Sequence, residues 1–166
     1  MLMTMPQFAE VPVPPGSPKR LFASRPHGVV IHAMGEFVRG RPAWDFLASL
    51  KTPLRAHAYV TPSGVVVTQT PLHRRAAHAR GFNATTLGVE VLVRGRYDSV
   101  AELEAALSKP WLTSAQLFAA ARYVRDLVQT FRFGEDDVLR HDELDASKPD
   151  PGPMFPWDTF KREVLS

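Results

Sequence analysis

The chain has 166 residues and no cysteine, a size that suits one domain with a single hydrophobic core. The absence of cysteine excludes disulfide bonds and thiolate ligands, so any metal site must use histidine and carboxylate side chains. The net charge of +3 comes from 15 arginines and five lysines against 17 acidic residues. Such a balance suits an anionic polymer such as nucleic acid or cell wall, but it equally describes an ordinary, mildly basic surface.

Fifteen prolines and one asparagine give the chain the composition of a heat-adapted protein, although a GC-rich genome would also enrich proline, alanine and arginine. Five of the prolines lie in the first 20 residues, which predicts an extended N-terminal arm without regular structure (1–20) before a single domain (21–166). The first residues lack the basic start and long apolar run of a signal peptide, and no later segment has the character of a membrane span. We therefore expect the chain to be made and kept in the cytosol unless another factor releases it.

The first half of the remaining sequence predicts three strands and one helix. The β-branched run at 28–32 is typical of a buried central strand, which ends in His32 and is broken at 33–36. A helix with Pro42 in its first turn follows at 42–50. Two β-rich runs at 55–61 and 65–69 flank a turn with proline and glycine and predict a hairpin.

The second half begins with a loop or short helix at 71–81 that carries two histidines and three arginines, either solvated or in contact with a substrate. A central strand at 87–93 is interrupted by Glu90, which is costly to bury unless it is paired or neutralised. Capping-box patterns open helices at 99–107 and 113–131, a short strand at 138–140 leads to His141, and 157–163 forms a last helical turn. Strands alternating with helices predict an α/β domain with a central mixed sheet flanked by helices.

A candidate metal site lies near the C-terminus. Lys148 and Asp150 each precede a proline, which favours extended geometry and places both side chains on the same side of the segment. His141, nine residues before Asp150, could reach the same pocket. An imidazole and a carboxylate are both zinc ligands, and a catalytic zinc usually takes three protein ligands. His32 is the candidate third ligand, although a lone histidine at the end of a strand is more often a hydrogen-bonded core residue.

Six short motifs follow one another in the chain: Val-Val-Ile-His at 29–32, Arg-Ala-His-Ala-Tyr-Val at 55–60, Arg-Ala-Ala-His-Ala at 75–79, Leu-Gly-Val-Glu at 87–90, the histidine at 141, and Lys-Pro-Asp-Pro-Gly-Pro at 148–153. This ordered series resembles the type 2 N-acetylmuramoyl-L-alanine amidases. That zinc family includes cell-wall-recycling amidases, phage endolysins and peptidoglycan recognition proteins. The resemblance covers roughly residues 28–160 and implies an α/β fold.

The resemblance also implies a set of site residues. Zinc would be bound by His32, His141 and Asp150, the last of which stands where some members have cysteine. Glu90 and Lys148 match the polar strand residue and the lysine that the family pairs with the metal. Some members carry a tyrosine just before the position of His57, where this chain has Ala56, so the acid and base work is expected of Glu90. Substrate contacts are expected of His57, His78 and Asn83.

The implied reaction is the hydrolysis of the amide that joins the lactyl group of N-acetylmuramic acid to L-alanine. Zinc would provide hydroxide at neutral pH, Glu90 would transfer the proton, and Lys148 would stabilise the developing oxyanion. We expect a monomeric endolysin acting on peptidoglycan, with a cytosolic enzyme that recycles muropeptides as the alternative. A peptidoglycan-binding module without catalysis is a further alternative. A nucleic-acid binder is not expected, because the aromatic residues do not interleave with the basic ones, and neither is integral membrane association.

Overall fold

The structure is a computed structural model in which residues 7–51 and 55–166 are described. Within these ranges the strands are β1 (Gln7–Glu10), β2 (Gly28–Val38), β3 (Arg41–Pro42), β4 (Ala58–Val60), β5 (Val65–Thr68), β6 (Thr86–Arg96) and β7 (Val138–Arg140). The helices are α1 (Ala43–Ala48), α2 (Val100–Leu107), α3 (Ser114–Phe131), α4 (His141–Leu144) and α5 (Trp157–Leu165), and a 3₁₀ turn covers Glu135–Asp137. None of the helices in these ranges combines the length and apolarity needed to cross a membrane.

The strands form one mixed sheet in the order β1, β5, β4, β6, β2, β3, and β7 also pairs with β2. Its centre is the long parallel pair of β2 and β6, in register from Gly28 opposite Thr86 to Gly35 opposite Val93. β4 continues the parallel pairing on the far side of β6, and β4 and β5 form the antiparallel hairpin that the sequence predicts. The predicted α/β domain with a central mixed sheet and flanking helices is therefore confirmed.

Side chains alternate between the two faces of the sheet, as the period of two in a strand requires. One face carries the valines of the central strands and packs against α3 and α5, forming the main core with Val29, Val89, Val91, Val124 and Phe160 among its members. The opposite face carries a smaller cluster beneath α1 that includes Ala43, Tyr59 and Leu92. The second face is the one on which polar side chains also gather.

Helix α3 is attached to the sheet by a buried amide. Thr113 caps the helix by accepting a hydrogen bond from the backbone N–H of Gln116, as the sequence pattern predicts. The Gln116 side chain does not complete the capping box. Its Nε2 instead donates to the carbonyl oxygens of Val60 (2.9 Å) and Leu92 (2.6 Å), which joins α3 to β4 and β6.

Two local predictions were wrong. The arm was expected to lack regular structure, but residues 7–10 form β1, which pairs in parallel with β5; residues 1–6 lie outside the described ranges. The first central strand was expected to break at 33–36, yet β2 continues to Val38 through a bulge between Gly35 and Phe37. His32 consequently lies in the middle of a strand rather than at its end, because pairing with β6 extends the strand beyond its apolar run.

Replacement of Phe160 tests the packing of α5 on the sheet. The ring is fully buried in the main core and lies 5.3 Å from Phe155 and 5.5 Å from Trp157, centroid to centroid. Phe160→Ala should lower the free energy of unfolding by about 3 to 5 kcal/mol, measured by denaturant titration with a chelator present. Phe118→Ala, at a position 42% exposed on α3, is the matched control and should change it by about 0.5 kcal/mol or less.

Candidate metal centre

His32 and Glu90 lie side by side in the centre of the sheet. They are register partners on β2 and β6, and Glu90 is in turn the partner of Tyr59 on β4. Register partners project from the same face, so all three side chains point away from the valine core. The buried histidine and carboxylate are thus placed by strand pairing alone.

His141 is brought to this point by β7. That strand pairs with β2 so that Arg140 lies opposite Ile31, and the chain then turns into α4 with His141 as its first residue. The sequence prediction that a short strand leads to His141 is confirmed. Since β7 lies directly beside β2, the imidazole of His141 emerges next to that of His32.

Asp150 is held against α4 by backbone and side-chain contacts. The Asp142 N–H donates to the carbonyl oxygen of Asp150 at 2.8 Å. The Arg140 guanidinium binds the Asp142 carboxylate, donates to the carbonyl oxygen of Gly152 at 3.1 Å, and lies 5.5 Å from the centre of the Trp157 ring. These contacts close the loop between α4 and α5 and direct the carboxylate of Asp150 toward the two histidines.

Three donor atoms converge in this pocket. The Nδ1 atoms of His32 and His141 lie 3.0 Å apart, and Oδ2 of Asp150 lies 3.3 Å from the first and 2.9 Å from the second. All three residues are buried and form a group that could hold a metal ion. Ligands at about 2.0 to 2.1 Å from a tetrahedral zinc ion would be about 3.3 Å apart, so the spacing fits such an ion.

The charge states of the donors also suit a cation. Burial lowers the pKa of His32, which keeps its imidazole neutral. Burial would raise the pKa of Asp150, but the adjoining imidazoles of His141 and His32 outweigh that effect and hold the pKa of this carboxyl well below its usual range. A neutral imidazole and an ionised carboxylate are the forms that bind metal.

Glu90 is a buried carboxylic acid with an uncommitted oxygen. The residue is 8% exposed, and within the part of the chain that the structure describes its Oε2 is buried without a hydrogen-bond partner. Burial raises the pKa of Glu90 well above its ordinary value, and the nearby charge of Asp150 raises it further. A carboxyl with a raised pKa and an uncommitted oxygen can accept a proton and release it again.

Lys148 lies two residues before Asp150 in the chain. Its side chain is exposed, and its backbone N–H donates to the carbonyl oxygen of Asp145 at 2.9 Å in the turn after α4. Among smaller contributions, its positive charge helps to lower the pKa of His32, after burial and the neighbouring His141. The positive charge of Lys148 therefore acts on His32 from an exposed position.

His57, for which a substrate contact is predicted, lies in the interior of the protein. The residue is fully buried, its Nε2 donates to the carbonyl oxygen of Arg74 at 2.8 Å, and its Nδ1 accepts from the Gly88 N–H at 3.0 Å. Burial lowers the pKa of His57 to about 4. Both ring nitrogens are used by the backbone, so His57 ties the loop after β5 to β6.

His78 was also predicted to contact substrate, but its ring is occupied inside the protein. Nδ1 lies 2.9 Å from Nε2 of His32, and Nε2 donates to the carbonyl oxygen of Thr86 at 3.0 Å. The contact with His32 was missed by sequence reasoning. The signal was Gly88, since a glycine inside an apolar strand often marks a close approach, and a Cβ there would lie 2.5 Å from Cγ of His78.

Asn83 organises the loop that carries His78. Its Oδ1 accepts hydrogen bonds from the backbone N–H groups of His78 and Ala79, both at 2.8 Å. The side chain is half-buried, so the expected contact between Asn83 and a substrate stays a prediction.

A family model described as N-acetylmuramoyl-L-alanine amidase matches residues 22–153, most of the chain. The chain belongs to this family. The amidase is therefore a hydrolase of amide bonds, and the resemblance stated from its motifs is confirmed. A comparison with curated protein sequences finds no match.

Solved structures share the fold of the amidase. The endolysin amidase LysCS from Clostridium intestinale URNW matches with a TM-score of 0.76 at 19% identity, over 97% of each chain. A selenomethionine derivative of AmpD matches with a TM-score of 0.72 at 23% identity, over 95% of this chain and 94% of the other. The Escherichia coli amidase AmiD, in complex with anhydro-N-acetylmuramic acid-L-Ala-D-gamma-Glu-L-Lys, matches with a TM-score of 0.63 at 23% identity, over 84% and 58%.

The pH dependence of stability tests the neutral, buried state of His57. Its pKa is about 4 when folded and near the ordinary value of 6.5 when unfolded, so the unfolded state binds more protons between these values. His57 should therefore make the free energy of unfolding fall on acidification through this window, by about 1.4 kcal/mol per pH unit. Denaturant titrations at several pH values, with chelator present, give the slope of the free energy of unfolding against pH. In His57→Gln this slope should correspond to about one bound proton fewer than in the wild type. Equal slopes would contradict the assignment.

Proposed function

We propose that the chain is a zinc-dependent N-acetylmuramoyl-L-alanine amidase that hydrolyses the lactyl-L-alanine bond of peptidoglycan. The observation that carries the proposal is the convergence of the Nδ1 atoms of His32 and His141 with Oδ2 of Asp150, next to Glu90 on the neighbouring strand. Two imidazoles and one carboxylate form a ligand set typical of catalytic zinc, in which a fourth position is left for water or substrate. In the absence of cysteine, the harder nitrogen and oxygen donors are the ones the chain can offer.

Glu90 is the proposed acid and base. A bound zinc ion would lower the pKa of water toward 7 and polarise the scissile carbonyl. Glu90 takes a proton from water and gives it to the nitrogen of the departing L-alanine, for which its raised pKa is suited. The burial of its carboxyl on the sheet face opposite the valine core tunes it for both steps.

Lys148 is proposed to stabilise the negative charge that develops on the carbonyl oxygen of the substrate. Its side chain is exposed, and its positive charge contributes to lowering the pKa of His32. An interaction formed mainly in the transition state raises the rate rather than the affinity for substrate. Asn83, half-buried in the loop after His78, remains the proposed substrate contact of this region.

For the biological role, we propose a phage or prophage endolysin that acts as a monomer. The similarity of 97% of the chain to a clostridial endolysin and the net charge of +3 support an enzyme that meets the anionic wall directly. Muropeptide recycling in the cytosol is the second candidate. It is favoured by Ala56 and Glu90, which agree with the recycling-type subgroup, and by the similarity to AmpD.

Product analysis of purified peptidoglycan sacculi is the experiment that tests this proposal. Incubation with the protein should release new amino groups of L-alanine, because the cleaved amide leaves that residue as the N-terminus of the stem peptide. The release should stop when a chelator is added and return when zinc is restored.

The substrate that is cleaved separates the two roles. Release from intact sacculi supports the endolysin, whereas cleavage of soluble muropeptides alone supports the recycling enzyme. Inactivity toward both substrates with zinc present would contradict the proposal and favour a binding module without catalysis.

Two substitutions separate metal binding from proton transfer. Glu90→Gln keeps the size of the side chain but removes its titratable proton, so kcat should fall by about 10²- to 10⁴-fold while zinc remains bound. Asp150→Ala removes a ligand and should lose both zinc and activity. Activity is measured as the rate of peptide release. Zinc content is measured by elemental analysis of dialysed protein.

Glu104→Gln, at an exposed position on α2, is the matched control and should change neither quantity. Full zinc content in the Asp150→Ala protein would remove Asp150 from the ligand set. Unchanged kcat in Glu90→Gln would remove Glu90 from the reaction.

A further inference from the structure

A second imidazole lies directly behind the candidate ligand His32. The Nε2 atom of His32, on the opposite side of the ring from the metal pocket, is 2.9 Å from Nδ1 of His78. The two rings meet nearly at right angles, at 89°, with their centroids 5.2 Å apart. The contact is thus edge to face, and it occupies the ring nitrogen of His32 that does not face Asp150.

The position of the protons follows from the other partners of His78. Its Nε2 lies 3.0 Å from the carbonyl oxygen of Thr86, which can only accept, so this nitrogen carries the hydrogen. A neutral imidazole has one N–H, and Nδ1 of His78 must therefore be an acceptor. The Nε2 of His32 then carries a hydrogen and donates it to His78. The remaining nitrogen of His32, Nδ1, is left with a free lone pair.

That lone pair belongs to the atom that faces His141 and Asp150. We propose that His78 is a positioning residue that holds His32 in its Nε2–H tautomer, so that Nδ1 is presented to the metal before the metal arrives. The series of hydrogen bonds runs from the Thr86 carbonyl through His78 to His32, which faces the pocket. A partner behind a ligating histidine fixes both its tautomer and its ring orientation. The proposal rests on the metal site of the proposed function and deepens it.

Contacts with Asn83, Gly88 and Thr86 hold the backbone and the ring of His78 in place. Asn83 accepts hydrogen bonds from the backbone N–H groups of His78 and Ala79, which fixes the start of the loop. The ring lies against the backbone of β6 at Gly88, where a Cβ would be 2.7 Å from Nδ1. The Thr86 hydroxyl donates to the carbonyl oxygen of Phe82 at 2.8 Å, so its oxygen, 3.4 Å from Nε2 of His78, is also an acceptor.

Zinc affinity of the folded protein is the main measurement, obtained by competition with a chromophoric chelator at fixed pH. His78→Leu removes the acceptor behind His32, so we expect zinc to bind about 10- to 100-fold more weakly. His78→Asn places an amide oxygen near the position of Nδ1 and should recover a large part of this loss. A purely structural role predicts no such recovery, because the asparagine cannot reach Thr86 as the imidazole does.

His57→Gln is the matched control. His57 is a buried histidine whose ring centroid lies 6.2 Å from that of His78, yet its own nitrogens bind only the backbone. The variant is expected to lose thermal stability and to keep its zinc affinity. Circular dichroism of each zinc-free variant verifies that the affinities compare folded proteins.

Long-range proton–nitrogen NMR spectra of the zinc-loaded protein read the tautomer directly. We expect His78 to be protonated at Nε2 and not at Nδ1, and a proton on Nδ1 would overturn the proposal. Equal zinc affinity in the wild type and His78→Leu, or no recovery in His78→Asn, would overturn it as well and would leave the metal site intact. A wild-type protein that binds no zinc would overturn both the metal site and this inference.

Discussion

β2 and β6 pair in parallel with His32 opposite Glu90, and the site depends on that register. Because side chains alternate along a strand, a slip of one residue would turn the histidine and the carboxylate into the valine core and the valines out of it. The apolar neighbours Val29, Val89 and Val91 therefore fix the register that places the polar pair. The apolar side chains that stabilise the fold and the polar side chains of the candidate site lie on opposite faces of the same strands.

The buried polar groups divide into those that the backbone satisfies and those that it leaves open. Both ring nitrogens of His57 make hydrogen bonds with backbone groups, and so join neighbouring elements. The carboxylate of Asp150 and the imidazoles of His32 and His141 lie against one another in the pocket. The Oε2 atom of Glu90 has no such partner within the described ranges, and burying an uncommitted carboxyl costs stability. The proposed role of Glu90 in proton transfer would offset this cost.

Sequence reasoning was most successful where the signal is local. The apolar periodicity located the central strands, the capping pattern at Ser99 located α2, and the ordered motifs brought together His32, His141, Asp150 and Glu90. It failed where a distant partner decides the outcome. β1 exists because β5 offers an unpaired edge, and β2 continues past its apolar run because β6 pairs with it. No pattern within a few residues of these positions encodes such contacts.

The close approach at Gly88 has a consequence for how related sequences can diverge. The ring of His78 fills the space that any side chain at position 88 would need, so both cannot occupy that space at once. A methyl group at 88 is compatible only with a smaller residue at 78, and a ring at 78 only with glycine at 88. Substitutions at the two positions should therefore be strongly non-additive, and in descendants of this chain they should change as a pair.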